Sequence, residues 1–540
     1  MKKLLALILA VAMLLSLVAC GSKESAAEEA APAETEAMEF KEEGLKLEAE
    51  ISDDKTYRDH VNLSIWGPIS DIDATFGLQN TVHRVYRNMV YNQLVYLNLE
   101  TGEFEPELAA EWKAESMTSY YFKLRDDITF ANGEPLTADD VLYSLYERPV
   151  NEATAERPAK VTLYTYIDNI EVINDYELRI NLLNPDAEFL YKLYKGEASI
   201  FNREAVQADP EKGSYIGTGG WIPSDFVPSD YVTLEKVPTS WVWKEEGEIP
   251  TKTVTIKYMP ENSVASCQAG EVANSLVERL GDLEGYLNAD PNVETYTFAG
   301  LARIYFCFNV SENSRVYDDV NLRQAIAYAV DRQTFIDFAT EGTSHVALST
   351  WGEKQAGYFE DYEKPYGYDL EYAKQLMAQS KHPDGLHLRI ICLQNRAEQA
   401  TLVAEMLKEL NITCDVTPLD TTAMAAYREA GTDYDIFLTD DTYGMNISAK
   451  ENWWATGAKN TGSHYNDPRA IELFQQMVGA ETEEERLAAA KEMQLMEKEQ
   501  CVYVPICYMM TGVMWHTGVS GLDWSIDTYF DFHRVTWEEI

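Results

Sequence analysis

The sequence predicts an α/β protein, and three observations carry that prediction. Residues 386–393 and 412–418 are apolar runs flanking a helix-forming stretch at 398–410. This strand–helix–strand order argues for a partly parallel sheet with covered faces. Residues 167–183 read as two alternating strands around Asn174-Asp175, a hairpin. Residues 104–148 combine four signals. Pro106 opens a short turn or helix through Leu108, Ala109 and Trp112, and the aromatic run at 120–125 is a strand. Asn132-Gly133 marks a tight turn. Thr137 is an N-cap with Asp140 at N3, ahead of Val141, Leu142 and Leu145 on one helical face.

With 540 residues, the chain has room for about three to four units of ~150 residues. At 46% hydrophobic and 11% aromatic it can bury large cores. Its 44 basic residues against 90 acidic ones give a net charge of −46, which argues against nucleic-acid binding and against a basic membrane patch. Lys2-Lys3 followed by an apolar stretch to Ala19 is a signal segment too short to span a bilayer comfortably. It ends Leu17-Val18-Ala19-Cys20-Gly21, which resembles the lipobox of bacterial lipoproteins. Cys20 is therefore the expected diacylated N-terminus, two chains being needed for firm anchoring. Residues 21–55, rich in Ser, Ala, Glu and Pro, are expected to form a disordered tether. Of the remaining cysteines, none show CxxC spacing, so neither a zinc site nor a dense disulfide framework is indicated. Cys392–Cys414, both on predicted strands, is the pair to test for a disulfide.

The residues of 104–148 also form a family pattern: Pro106, Leu108, Ala109, Trp112, Phe122, Leu124, Arg125, Phe130, Gly133, Pro135, Thr137, Ala138, Asp140 and Val141. Taken in register, the set resembles the signature of the solute-binding proteins of peptide-type ABC importers, the oligopeptide, dipeptide and nickel binders (family 5). A second dense match runs over 304–332, with Tyr305, Phe306, Phe308 and Asn309 ending a strand and 319–326 opening a helix. Those residues are read as structural. The resemblance implies a periplasmic-binding-protein-like class II fold, two lobes and a hinge, with an extra subdomain inserted in the first lobe. It implies a signal peptide at 1–20, the tether at 21–55, first-lobe segments at 56–80 and 196–303, the insert at 81–195, the second lobe at 304–508 and a return to the first lobe at 509–540.

Between these landmarks, 62–66 reads as the first strand and 82–97 as a helix with Val82, Val85, Tyr86, Met89 and Leu94 inward. Residues 216–221 are a backbone turn with no phosphate role, since no GKT-type helix follows. Residues 254–258 are a strand followed by a helix, and 501–510 a short apolar strand. His382 and His387 flank a turn and are expected on the surface.

No GxSxG, HExxH, Walker A or strand-borne GxGxxG is present, so the sequence supports no enzyme; a surface-attached hydrolase is the rival class. The resemblance implies capture of a small solute between the lobes and delivery to an ABC permease and its ATPase, by a monomer that needs no cofactor and touches the membrane through its lipid alone. A peptide is the expected ligand; nickel or a metal chelate, or an oligosaccharide, is the alternative on the same scaffold. A signalling receptor would use the same cleft. In relatives the loop after the first strand borders the cleft, which places Pro68, Ile69 and Ser70 there. Relatives that bind peptides carry a Trp-x-x-Asp element after the Tyr-Asp strand; here 439–444 reads Thr-Asp-Asp-Thr-Tyr-Gly, with Asp440 near the Trp position and Tyr443 near the Asp. Asp440 or Asp441 either holds a ligand amine, which needs a carboxylate partner when buried, or caps a turn. Trp453 and Trp454 are either a core pair or an aromatic cleft wall. Tyr508 stands where relatives place a cleft aromatic. Arg396 and Arg428 are candidates for a ligand carboxylate.

Overall fold

The computed structural model describes residues 44–540 except 79–80, 100, 195, 260, 278–279, 286, 348, 353–354, 356, 360–366, 443, 445, 448–450, 455–460 and 526–529. Cys20 and most of the expected tether lie outside the described residues. The tether ends earlier than expected: Leu45–Leu47 is a strand, paired antiparallel with Leu522–Trp524. Two apolar side chains, Leu45 and Leu47, pack there against the main core.

A six-stranded mixed sheet runs through the molecule in the order Asn274–Val277, Tyr503–His516, Val293–Phe308, Ile436–Thr442, Leu386–Leu393, Ile412–Leu419. The Leu386–Leu393 strand is parallel to both of its neighbours, as the strand–helix–strand pattern predicts. Helices cover both faces. Leu388, Ile390, Ala400 and Val403 share one core, while Ile391, Phe437, Leu473 and Met493 share another on the opposite face.

Val293–Phe308 and Tyr503–His516 are long because they serve two cores. Phe298, Leu301 and Val513 belong to the large core of the first lobe, whereas Ile304, Phe306, Val504 and Ile506 belong to the second. The register between the two strands slips between Ala299 and Arg303 and again between Ile304 and Tyr305. The run at 501–510 is thus part of a longer strand than expected. Its partner breaks register where the core changes, the place for a bend.

The first lobe is built on a second sheet, ordered His60–Ile65, Thr253–Tyr258, Tyr231–Lys236, Trp221–Val227. Asn274 joins it to the six-stranded sheet: its Oδ1 accepts from the Ser64 N–H at 3.0 Å and its Nδ2 donates to the Ser64 carbonyl at 3.2 Å. A four-stranded antiparallel sheet, Ala109–Ser116, Ser119–Leu124, Glu177–Leu182, Ile167–Asn174, contains the expected hairpin. The Asp140 carboxylate accepts from the Thr137 N–H at 3.0 Å and from its hydroxyl at 2.7 Å, completing the expected cap.

Three sequence readings need correction. Residues 109–116 are a strand, not a turn or helix; Trp112 lies opposite Phe122, so cross-strand pairing decides what the Pro-x-Leu-Ala-x-x-Trp spacing left ambiguous. The helix expected over 82–97 ends at Val90, and Val95–Leu97 forms a strand against Phe104–Pro106; apolar periodicity ran across the boundary. Cys392 and Cys414 do not approach each other. In the parallel register Cys414 faces Leu388, and Cys392 faces Pro418. A four-residue offset is ~13 Å, well beyond the reach of a disulfide. Both are free thiols.

Candidate functional site

In open α/β sheets ligands sit beyond the carboxyl ends of the parallel strands. Here those ends are Leu393 and Thr442, beside the place where the chain crosses between lobes. The strand Leu386–Leu393 runs into the turn Gln394–Arg396, and helix Ala397–Met406 begins immediately afterwards. That turn delivers Arg396 to the neighbouring strand. Its Nε donates to Asp440 Oδ1 at 2.9 Å and its Nη2 lies 2.8 Å from the same oxygen. Nη2 also lies 3.7 Å from the Met509 sulfur. The side chains are 14% and 32% exposed, so the pair meets both protein and solvent.

Asp440 and Asp441 do not cap a turn; both lie within the strand Ile436–Thr442. Strand alternation then separates them. Asp440 lies opposite Ile304, while Asp441 is exposed opposite Arg303. Arg303 is only 1% exposed at the crossing itself. Its Nη1 donates to the Leu301 carbonyl at 2.9 Å, and its guanidinium carbon stands 4.3 Å from the centre of the Tyr508 ring. A Cβ on Gly352 would come within 3.0 Å of Arg303 Nη2, so that glycine gives the guanidinium room. Tyr508 is half-buried, its N–H donating to the His345 carbonyl at 3.0 Å.

The other expected positions separate from this cluster. Pro68 and Ser70 are exposed; Ile69 is buried and its carbonyl accepts from the Ser229 N–H at 2.8 Å. Trp453 and Trp454 take the core alternative. Both are buried, with the Trp453 ring 4.4 Å from Tyr503 and 4.9 Å from Tyr305, and Trp454 edge-on to Tyr465 at 5.2 Å. Arg428 lies on helix Thr421–Ala430, its guanidinium 5.8 Å from the Phe437 ring and on the sheet face opposite Asp440. Tyr443 lies outside the described residues.

Sequence reading missed Arg303 and Glu188. A lone cation in the apolar strand Leu-Ala-Arg-Ile-Tyr-Phe was the available signal for the first. Glu188 gave none, because its partners are distant in sequence: its Oε1 accepts from the Ile447 N–H at 3.0 Å and lies 3.7 Å from Arg486 Nη1. One residue earlier, the Ala187 N–H donates to the Val478 carbonyl at 2.9 Å. These bonds join residues 187 and 188 to residues 447, 478 and 486, far along the chain.

Residues 103–463 match the family model for bacterial extracellular solute-binding proteins, family 5 Middle. The chain is 25% identical over 495 residues to heme-binding protein A of Haemophilus influenzae, covering 85% of this chain and 89% of that protein. It is 27% identical over 316 residues to the dipeptide-binding protein of Escherichia coli, covering 54% and 57% respectively. The solved structure of NikA from Brucella suis in complex with Fe(III)-EDTA superposes with a TM-score of 0.76 at 19% identity, covering 89% of this chain and all of that one.

Proposed function

Because the chain belongs to the bacterial extracellular solute-binding proteins of family 5, we propose that it captures a short peptide between its lobes and hands it unaltered to an ABC permease. The observation that carries this reading is the Arg396–Asp440 pair at the carboxyl ends of the parallel strands. With the Asp440 carboxylate 32% exposed, the pair stays within reach of an incoming ligand. A zwitterion suits the pair: its ammonium takes Asp440 and its carboxylate takes the Arg396 fork. Main-chain hydrogen bonding to an extended peptide would leave side-chain identity loosely specified. Arg303, behind Tyr508, adds a positive field at the crossing. The dipeptide-binding relative supports the peptide class.

Calorimetric titration with di-, tri- and tetrapeptides tests the reading. Binding is expected for free peptides, with at least tenfold weaker affinity in Asp440→Asn and in Arg396→Gln, and for N-acetylated peptides. A protein that ignores every peptide yet is stabilised by a metal chelate or an oligosaccharide overturns the peptide assignment. We further propose attachment to the outer face of the membrane through lipidated Cys20; Cys20→Ser should then move the protein from the membrane fraction to the medium or periplasm. Among the described residues no helix is long and apolar enough to cross a membrane.

A further inference from the structure

The first lobe contains a cavity of about 500 Å³ whose lining includes none of the residues of the cleft site. It lies where the strand Leu45–Leu47, the end of helix Thr81–Val90, the helix Trp241–Glu246 and the C-terminal strands come together. Two of its lining side chains are almost fully buried yet incompletely bonded. Asn88 is 8% exposed and, among the described residues, its Oδ1 has no hydrogen-bond partner; Gln93 is 3% exposed and its Nε2 has none among them either. A buried polar atom left unbonded keeps its full desolvation cost, so such pairs call for an occupant.

Charge defines that occupant. Six carboxylates line the cavity, Glu48, Glu107, Glu245, Glu246, Asp523 and Asp531, with Lys46, His533 and Arg534 as its basic groups; Glu245 pairs with Arg125. Asp531 and Glu246 are spoken for, because His533 lies between them at 2.8 Å and 2.6 Å. Glu107 is not. It accepts from the Asn92 side chain at 2.9 Å and from the Gln93 N–H at 3.0 Å, and pairs with no cation among the described residues. Burial pushes its carboxyl up to about 8, as expected of an acid lacking a positive partner. Tyr96 supplies an aromatic wall.

We infer that this cavity is a second ligand site, separate from the cleft, which takes a small organic ammonium bearing a hydroxyl or carbonyl oxygen. Glu107, giving up its proton to solvent as the cation enters, and Asn88 Oδ1 accept from the ammonium, and Gln93 Nε2 donates to the ligand oxygen. Binding needs no change in the interlobe site and does not depend on the peptide reading.

Ethanolamine hydrochloride is the probe, compared with sodium chloride at equal ionic strength and with ethylamine hydrochloride. Because four heavy atoms limit affinity, titrations extend to tens of millimolar and are read by thermal shift and by density in soaked crystals. The expected result is a concentration-dependent rise in melting temperature beyond that given by sodium chloride. Glu107→Gln should weaken it at least tenfold, and Gln93→Met should weaken ethanolamine while sparing ethylamine. The response should persist in Asp440→Asn. A shift no larger than that of sodium chloride, an equal response in Glu107→Gln, or loss of the response in Asp440→Asn would each overturn the inference; the last would place the amine in the cleft.

Discussion

Single buried charges carry stability that a charge count cannot show. Arg323 is 3% exposed, and its guanidinium donates to the carbonyls of Val316, Tyr317 and Gln500 at 2.8 Å each and of Cys501 at 3.2 Å. It thereby closes the C-terminal end of helix Glu483–Gln500, where Cys501 takes a left-handed φ of 47°. Arg323→Lys keeps the charge but loses the fork, so a loss of about 3 kcal/mol is expected in urea unfolding; a change under 1 kcal/mol would refute this role. Asp435 offers a pH-linked counterpart. Burial pushes its carboxyl up, but bonds from the Arg389 side chain and from the Arg315 and Arg389 N–H groups outweigh it and hold the acid below its ordinary 3.8. A carboxylate with a depressed folded pKa contributes stability above the ordinary value and loses it as pH falls through the folded one. Asp435→Asn should therefore cost about 2–3 kcal/mol at neutral pH, moderated because both arginines reach solvent. The difference from wild type should shrink as pH falls below about 4. A gap that is constant down to acid unfolding would show that Asp435 is not the linked group.

Elements were legible in the sequence wherever local chemistry alone decides them. Thr137 and Asp140 announce a cap, Asn174-Asp175 a hairpin, and the 386–418 run a parallel pair, because each signal lies within a few residues of its consequence. Elements decided by pairing rather than by their own residues were not. Residues 109–116 become a strand by pairing with 119–124 across a two-residue turn, and 439–442 extends a strand because the distant 302–305 pairs with it. The same limit governed the site: Arg396 and Asp440 were both nameable, but their ion pair needs the parallel register of two strands. The cysteines show the cost of ignoring register. Burial pushes the Cys392 thiol up to about 11 and that of Cys414 up to about 12, so both should be inert to thiol reagents at pH 8 in the folded protein. In denaturant, all six cysteines of the 44–540 segment should titrate without prior reduction. Fewer titratable thiols would reveal a disulfide, and one mapped to Cys392 and Cys414 would contradict the register between their strands.

At the scale of the molecule, closure sets two short contacts against a large repulsion. A net charge of −46 opposes bringing two acidic lobes together, and salt screens it over about 8 Å at physiological strength. The Glu188–Ile447 and Ala187–Val478 bonds hold residues 187 and 188 to residues 447 and 478 across that field. Their role differs from that of the cleft residues, because Glu188 lies against protein rather than beside Arg396 or Asp440. Ligand affinity in such a molecule falls in proportion to the fraction of the protein able to close. Glu188→Ala leaves the Ile447 N–H without its acceptor and removes one of the two carboxylates beside Arg486, which keeps Glu483. The expected outcome is a larger radius of gyration by small-angle scattering in the absence of ligand, severalfold weaker peptide binding, and partial recovery of both as salt rises. Glu188→Gln should fall between, since its amide oxygen still accepts from Ile447. If Glu188→Ala leaves scattering and affinity unchanged, the Glu188 contact is incidental to closure.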